Sequence, residues 1–147
     1  MFQHLNDPRR ALSEMVRVTK PSGTLVVIDP DYDTQVLELP DQGLARRVLR
    51  FRADEGLRHG TIAHRMPAMF HNGGLAQISV EPMTLVVRDA TAVDNVMGLR
   101  TWASTAHRHG FLEAGEAERW EALLDATVAA GNFLYAVTFF ITAGIRR

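Results

Sequence analysis

Apolar residues in the first part of the chain recur at helical spacing, with polar residues between them. Leu12 and Val16 fall on one face of such a helix. Asn6 or Asp7 can cap its first turn, and Pro8 suits the first helical position because a missing N–H costs nothing there. The pattern predicts an amphipathic helix that begins near residue 8.

An unbroken apolar run follows the turn Pro21-Ser22-Gly23, which ends this helix. Residues 24–28 are apolar or β-branched, which is typical of a strand covered on both faces, as in parallel sheets. The acidic run Asp29-Pro30-Asp31-Tyr32-Asp33 comes directly after it. Because Asp and Pro favour turns, this run predicts a loop at the carboxyl end of the strand.

The remaining patterns alternate between helices and strands. Helices are predicted over 42–55, 61–72, 91–106 and 113–130, and strands over 78–87 and 133–143. Pro67 predicts a kink in its helix or marks the true start, and Gly73-Gly74 supplies a left-handed cap. This order predicts one α/β domain. It would comprise a core over 1–89, a helical insertion over 90–131 and a final strand over 132–147.

Composition excludes several classes of function. The formal net charge of -1 gives no reason to expect nucleic acid or an anionic membrane as a partner. Cysteine is absent, which excludes disulfides and thiolate zinc sites, and the six histidines lack metal-ligand spacing, so we expect no metal. We find no signal peptide and no apolar run that could span a bilayer, and therefore expect a cytoplasmic protein.

Two consecutive segments carry a family resemblance. The segment from Phe2 to Leu12 resembles the stretch that follows the fourth strand of class I S-adenosylmethionine-dependent methyltransferases. The segment from Glu14 to Asp29 is similar to their next helix, turn and fifth strand. Within it, Arg17-Val18-Thr19-Lys20-Pro21-Ser22-Gly23 matches the family pattern R-V-L-K-P-G-G, with Ser22 where glycine is usual.

This resemblance implies a partial Rossmann-like sheet. The run from Phe70 to Leu75 lies where the family has a helix ending in A-G-F before its sixth strand. The final strand would be the seventh, which runs antiparallel in that fold. We therefore expect strands five, six and seven with flanking helices.

The same resemblance implies that the cofactor-binding N-terminal half is absent. The family holds S-adenosylmethionine with a G-x-G-x-G loop after its first strand, followed by an acidic residue, and neither occurs here. Met1 falls about where the fourth strand should end. We therefore expect a chain that begins inside the domain and does not bind the cofactor alone.

Candidate site residues follow from position in the family fold. Gln3, His4 and Leu5 would line the methyl end of the cofactor once the missing half is restored. For His4, the alternative is a helix-entry residue at a frayed terminus.

Further residues are candidates for the acceptor side, because open α/β sheets bind ligands at the carboxyl ends of their strands. Asp29, Asp31 and Tyr32 would line the acceptor mouth, and the alternative for them is a solvated loop. Met97 and Trp102 would contribute a pocket wall from the helical insertion. For Trp102, the alternative is a place in the core.

Two functions are consistent with these patterns. The first is part of a methyltransferase that acts on a small-molecule acceptor, inactive as this chain alone, with Asp31 or His4 as the candidate general base. The second is a non-catalytic association module. Strand 24–28 would then be a bare, apolar sheet edge, which predicts a homodimer or a complex with a separate N-terminal half.

Overall fold

The computed structural model describes all 147 residues, from Met1 to Arg147. The strands β1 (Thr24–Leu37), β2 (Leu75–Val87) and β3 (Tyr135–Arg146) form one sheet in the order β1-β3-β2. β3 runs antiparallel to both neighbours, so β1 and β2 are parallel to each other. The predicted α/β class, with three strands and an antiparallel last strand, is confirmed.

Six α-helices accompany the sheet. They are α1 (Pro8–Val18), α2 (Gln42–Phe51), α3 (Ile62–Asn72), α4 (Ala90–Met97), α5 (Trp102–Arg108) and α6 (Ala114–Ala129). Short 3₁₀ helices cover Phe2–His4 and Leu99–Thr101, and a π-helical turn at Arg52–Gly56 extends α2. None of these helices combines the length and apolar character that crossing a bilayer requires.

The first helix and its turn follow from local chemistry. The carboxylate of Asp7 caps α1 by accepting a hydrogen bond from the backbone N–H of Arg10 at 2.9 Å. Ser22 adopts a left-handed conformation with φ of 62°, which explains why glycine is usual at this position of the family turn. Its backbone N–H donates to the carbonyl of Arg146 at 2.9 Å, which ties the turn to the end of β3.

Two predictions about β1 are wrong. The run from Asp29 to Asp33 is not a loop, because β1 continues through it to Leu37 with an irregularity in register after Asp31. Pairing with β3 therefore outweighs the turn preference of Asp and Pro in this run. The strand is also not covered on both faces, since Val26 and Ile28 are 48% and 50% exposed.

The helices depart from prediction mainly where glycine or proline intervenes. Gly98, with φ of 68°, divides the predicted 91–106 helix into α4 and α5. Pro67 lies inside α3 rather than at its start. The predicted left-handed cap is confirmed at Gly74, with φ of 81°, and Leu75 packs back against Phe70 in a shared cluster.

Two separate apolar clusters form the core. The smaller lies on the face of β1 that carries Leu25 and Val27, which α3 covers with Met66 and Phe70. The larger gathers around β3 at Tyr135 and includes 18 buried residues from the strand ends and from α2, α4, α5 and α6. Every helix therefore packs on one of two clusters at different places on the sheet.

The other face of the sheet remains largely open. Strand pairing places Val26 opposite Ala143, Ile28 opposite Ile141 and Met83 opposite Phe139, and directly opposite residues share a face. We call this the open sheet face, formed by Val26, Ile28, Met83, Phe139, Ile141 and Ala143. Val26, Ile28 and Met83 are each about half exposed, at 48%, 50% and 50%.

Candidate functional site

A buried carboxylate and a half-exposed imidazole meet where β1 becomes irregular. The side chain of Asp31 is 1% exposed, whereas that of His64, in the first turn of α3, is 46% exposed. Oδ2 of Asp31 accepts from the backbone N–H of His64 at 3.0 Å and lies 2.6 Å from its Nδ1. The carboxylate thus fixes the imidazole and leaves its Nε2 as the nitrogen that can act on a ligand.

Asp33 completes a small polar cluster with this pair. Its backbone N–H donates to Oδ1 of Asp31 at 3.1 Å, and its carboxylate lies 3.8 Å from Arg50. Ligand atoms of Asp31, Asp33 and His64 lie within 4.8 Å of one another. Both oxygens of Asp31 already accept hydrogen bonds, so the arrangement acts as a network that orients His64.

Asp29 is buried but serves a different part of the molecule. Its side chain is 1% exposed and binds the terminal amine of Met1. It also accepts a hydrogen bond from the backbone N–H of Phe2 at 2.9 Å. These bonds hold the first residues against β1 and place the Phe2 side chain, which is fully buried, in the smaller core cluster.

The other predicted acceptor-side residues come together around Arg52, in the π-helical turn. The guanidinium carbon of Arg52 lies 3.6 Å from the centroid of the Trp102 indole and 5.5 Å from that of the Tyr32 ring. The carbonyl of Met97 accepts a hydrogen bond from Nε1 of Trp102 at 2.9 Å. Tyr32 and Trp102 thus flank Arg52, and Trp102 lies in the larger core cluster, 2% exposed, which is the alternative predicted for it.

Electrostatics at this cluster are set by burial. Burial lowers the pKa of Arg52, and the neighbouring tyrosines Tyr135 and Tyr32, rather than a carboxylate, oppose this shift. Burial also raises the pKa of Tyr135 well above its ordinary value, which keeps the phenol neutral. The hydroxyl of Tyr135 donates to Oε1 of Gln35 at 3.1 Å.

Sequence reasoning missed two residues of this region. His64 was grouped with the histidines that form no metal site, and Arg52 lay unremarked in the predicted 42–55 helix. No short sequence motif links Asp31 to His64, because the two residues are 33 positions apart in the chain. Only the tertiary contact between β1 and α3 brings them together.

The predicted cofactor-side residues lie in the first 3₁₀ helix and directly after it. Gln3 is buried, His4 is exposed and Leu5 packs against the smaller core cluster. Nε2 of Gln3 lies 3.0 Å from Nε2 of His4, whereas its Oε1 is buried without a hydrogen-bond partner. Gln3 therefore offers one free acceptor atom.

These residues do not amount to a complete cofactor site. The glycines with left-handed backbone are Gly74, Gly98, Gly110 and Gly131, and each follows an α-helix rather than leading from a strand into one. The family cradle needs the opposite arrangement, with its glycines between the first strand and the next helix. Of Gln3, His4 and Leu5, only Gln3 has a buried oxygen without a hydrogen-bond partner.

Known proteins are similar to this chain in its first residues, over most of its sequence and in its fold. Residues 1–27 match the methyltransferase domain family. An uncharacterized 37.1 kDa protein of transposon Tn4556 from Streptomyces fradiae is 38% identical over 141 residues, covering 96% of this chain. The chain spans 40% of the length of that relative.

A solved structure shares the arrangement of strands and helices. The crystal structure of the YcgJ protein from Bacillus subtilis aligns with a TM-score of 0.50 and 18% identity, over 99% of this chain and 60% of that chain. At this identity the likeness concerns the fold alone. The matched residues 1–27 contain α1, its turn and the start of β1, the same segment that carries the sequence resemblance. The chain therefore resembles class I S-adenosylmethionine-dependent methyltransferases in its first 27 residues and in its fold.

Proposed function

We propose that this chain forms the acceptor side of a methyltransferase that acts on a small molecule, and that another polypeptide segment holds S-adenosylmethionine. The observation that carries the proposal is the contact between Asp31 and His64. It lies in the middle of β1, where the register with β3 becomes irregular, and such irregularities are over-represented next to active sites. On this proposal the chain is inactive by itself, because its residues do not form the cofactor cradle.

His64 is the residue that we propose as general base. With Nδ1 held by Asp31, Nε2 can accept the proton of an acceptor hydroxyl or amine. S-adenosylmethionine, when bound, supplies an activated methyl group. Catalysis in this class of reaction rests chiefly on holding donor and acceptor in line, and the fixed imidazole contributes to that alignment.

Calorimetry tests the assignment of the cofactor to another segment. S-adenosylmethionine is titrated into this chain and into the full-length Streptomyces relative, of which the chain spans 40%. We expect micromolar binding by the relative and none by the chain alone. Binding by the isolated chain would show that its own residues form the cradle. Failure of both proteins to bind would overturn the proposed function.

Methyl transfer tests the role of His64. The chain is mixed with the remaining part of the relative, and labelled S-adenosylmethionine is offered with a panel of phenols, amines and carboxylic acids. We expect His64→Gln to lower kcat by about 100-fold or more. The matched control is His71→Gln, since His71 is exposed on the same helix. Equal loss in both variants would remove His64 from the reaction.

The open sheet face supports a second candidate function, that of an association module. β1 pairs with β3 on one side only, so its other edge is free along an apolar strand. Val26 and Ile28 expose apolar surface beside that edge. Edges and faces of this kind favour pairing with another chain. We infer that the complementary segment of the domain covers them, with a homodimer as the other form of association.

Light scattering tests whether the open sheet face and the free edge of β1 bind another chain. We expect the wild-type chain to gain mass when mixed with the rest of the relative, or alone at high concentration. The double variant Val26→Lys, Ile28→Lys should lose that association, whereas Val96→Lys should not. Val96 is 80% exposed on α4 and provides the control. A wild-type chain that stays monomeric in both settings would contradict the association.

A further inference from the structure

Arg52 is a half-buried cation without an anionic partner. Its Nε is enclosed and makes no hydrogen bond, and its titratable neighbours are the phenols of Tyr32 and Tyr135 rather than carboxylates. Surface arginines behave differently, since several of them pair with an Asp or Glu side chain. These are Arg47, Arg50, Arg100 and Arg119. Arg52 is therefore placed where a positive charge costs stability and is not compensated by the protein.

The residues around Arg52 hold it in a defined orientation. The guanidinium carbon lies 3.6 Å from the centroid of the Trp102 indole, which is a close cation–π contact. The indole itself is fixed, because its Nε1 donates to the carbonyl of Met97 at 2.9 Å. The two Nη atoms are not among the enclosed atoms without partners, so they retain access to solvent. The donors that remain free therefore point away from an immobile aromatic surface.

Tyr32 adds a second free polar group beside this cation. The residue is 6% exposed, and its ring centroid lies 5.5 Å from the guanidinium carbon. Its backbone is held by a hydrogen bond from its N–H to the carbonyl of Gly60 at 3.0 Å. Tyr32 directly follows Asp31 in β1, so this cluster adjoins the pair formed with His64.

The geometry points to a binding site for the carboxylate of a small organic acid. A planar guanidinium stacked on an indole can donate two parallel hydrogen bonds to a planar carboxylate. A single guanidinium without a second cation beside it suits a monoanion better than a phosphate dianion. In taking this acid to be the methyl acceptor, the inference rests on the proposed function.

Titration with benzoate tests the site in the full chain. The indole N–H signals of Trp102 and Trp120 are followed by NMR, and Trp120, whose ring centroid lies 6.5 Å from that of Trp102, should shift less. We expect benzoate to shift the Trp102 signal and benzamide, its neutral counterpart, to leave it unchanged. Arg52→Met should weaken benzoate binding at least about tenfold, and Arg52→Lys should weaken it less.

Controls separate a binding role of Arg52 from a structural one. Arg46→Met removes an exposed arginine of α2 and should leave the affinity for benzoate unchanged. Arg52→Met should keep or raise the melting temperature, because it removes an uncompensated buried charge. Equal affinity in Arg52→Met, displacement of benzoate by equimolar sulfate, or no binding to the wild type would each overturn the site.

The result of the benzoate titration is independent of the calorimetric test for S-adenosylmethionine. If benzoate binds through Arg52 but the full-length relative does not bind S-adenosylmethionine, the acid site stands and the proposed methyl transfer falls. If the relative binds S-adenosylmethionine and benzoate does not bind here, the methyltransferase proposal stands and the acceptor has a different chemistry.

Discussion

Asp29 and Asp31 are buried carboxylates two residues apart in β1, yet they serve different purposes. Asp29 binds amino groups of the first two residues and anchors them to the sheet. Asp31 accepts from the backbone of Asp33 and from His64. Both lie on β1, but only Asp31 has a side-chain partner, His64, that remains partly exposed and can contact a ligand. A carboxylate's neighbours, more than its place in the sequence, therefore decide its role.

Replacing Asp31 by Asn should lower the stability of the folded protein. The amide keeps one acceptor oxygen and puts an N–H₂ group where the other oxygen accepted a hydrogen bond. We expect a loss of about 1 to 3 kcal/mol in the free energy of unfolding, measured by urea denaturation. Asp33→Asn is the control, because Asp33 is exposed, and should change it by less than about 0.5 kcal/mol.

Residue chemistry also explains what the sequence could not reveal about the site. Trp120 lies fully buried in the larger core cluster, because an aromatic residue on the apolar face of a helix packs into the core. Arg52 and His64 gave no comparable signal. An arginine among other arginines of an amphipathic helix looks solvated, and only the approach of Trp102 from α5 shows that Arg52 is enclosed.

At the scale of elements, the loop that carries Gly60 positions β1. The carbonyl of Gly60 accepts the N–H of Tyr32 at 3.0 Å. A Cβ added at Gly60 would lie 2.4 Å from the carbonyl oxygen of Ala53, which the backbone cannot avoid without moving. This close approach explains why a residue without a side chain occupies the position.

Two glycine substitutions should therefore have opposite effects on stability. We expect Gly60→Ala to lower the free energy of unfolding by about 1 to 3 kcal/mol through this overlap. Gly115→Ala, in the first turn of α6, meets no atom within 4 Å and should raise it by about 0.4 to 1 kcal/mol. Thermal denaturation of both variants checks the pair. A similar loss in the two would mean that close packing at Gly60 is unimportant.

The cap at the N-terminus of α2 should make the stability of the protein depend on pH in the acid range. Asp41 caps the helix by accepting the N–H of Leu44 at 2.9 Å and also pairs with Arg119. The hydrogen bond from Leu44, with Arg119 and Arg47 nearby, lowers the pKa of Asp41 below its ordinary value. The folded state thus favours the ionised carboxylate. Its contribution is complete above the unfolded pKa and is lost as the pH falls through the folded one.

The variant Asp41→Asn isolates this charge, because Asn is an equally good cap. We expect its melting temperature to lie below that of the wild type at pH 7. The difference should shrink as the pH is lowered below about 4, the ordinary range of an Asp carboxyl. A difference that is constant from pH 7 to pH 2 would show that the charge of Asp41 does not contribute.

For the whole molecule, the sequence predicted the class of fold and the order of elements better than their lengths. Apolar spacing and cap residues located α1 and the start of β1, because these depend on neighbours in the chain. The extension of β1 through Asp31 depends on β3, more than 100 residues away, which local patterns cannot register. The open sheet face was predicted only in part: residues 24–28 were expected to form a bare, apolar edge, but Met83 on β2 was not expected to be exposed, since apolar residues ordinarily indicate burial.

The two core clusters should differ in local stability. The smaller has 8 buried residues and joins α1 and α3 to β1, whereas the larger has 18 and includes most of the later helices. Fewer buried apolar contacts make local opening less costly. Native-state hydrogen exchange should therefore show amides of α1 opening with a lower free energy than those of α6 around Trp120 and Leu124.

Substitutions in the two core clusters test this difference in local stability. Leu12→Ala removes a buried side chain of the smaller cluster, and we expect faster exchange in α1 and α3 with little change in α6. Leu124→Ala in the larger cluster should instead accelerate exchange throughout the chain, because the larger cluster holds the most stable unit. If Leu12→Ala accelerated exchange equally in α1 and α6, the clusters would unfold as one cooperative unit. The sheet that they share would then transmit stability between them.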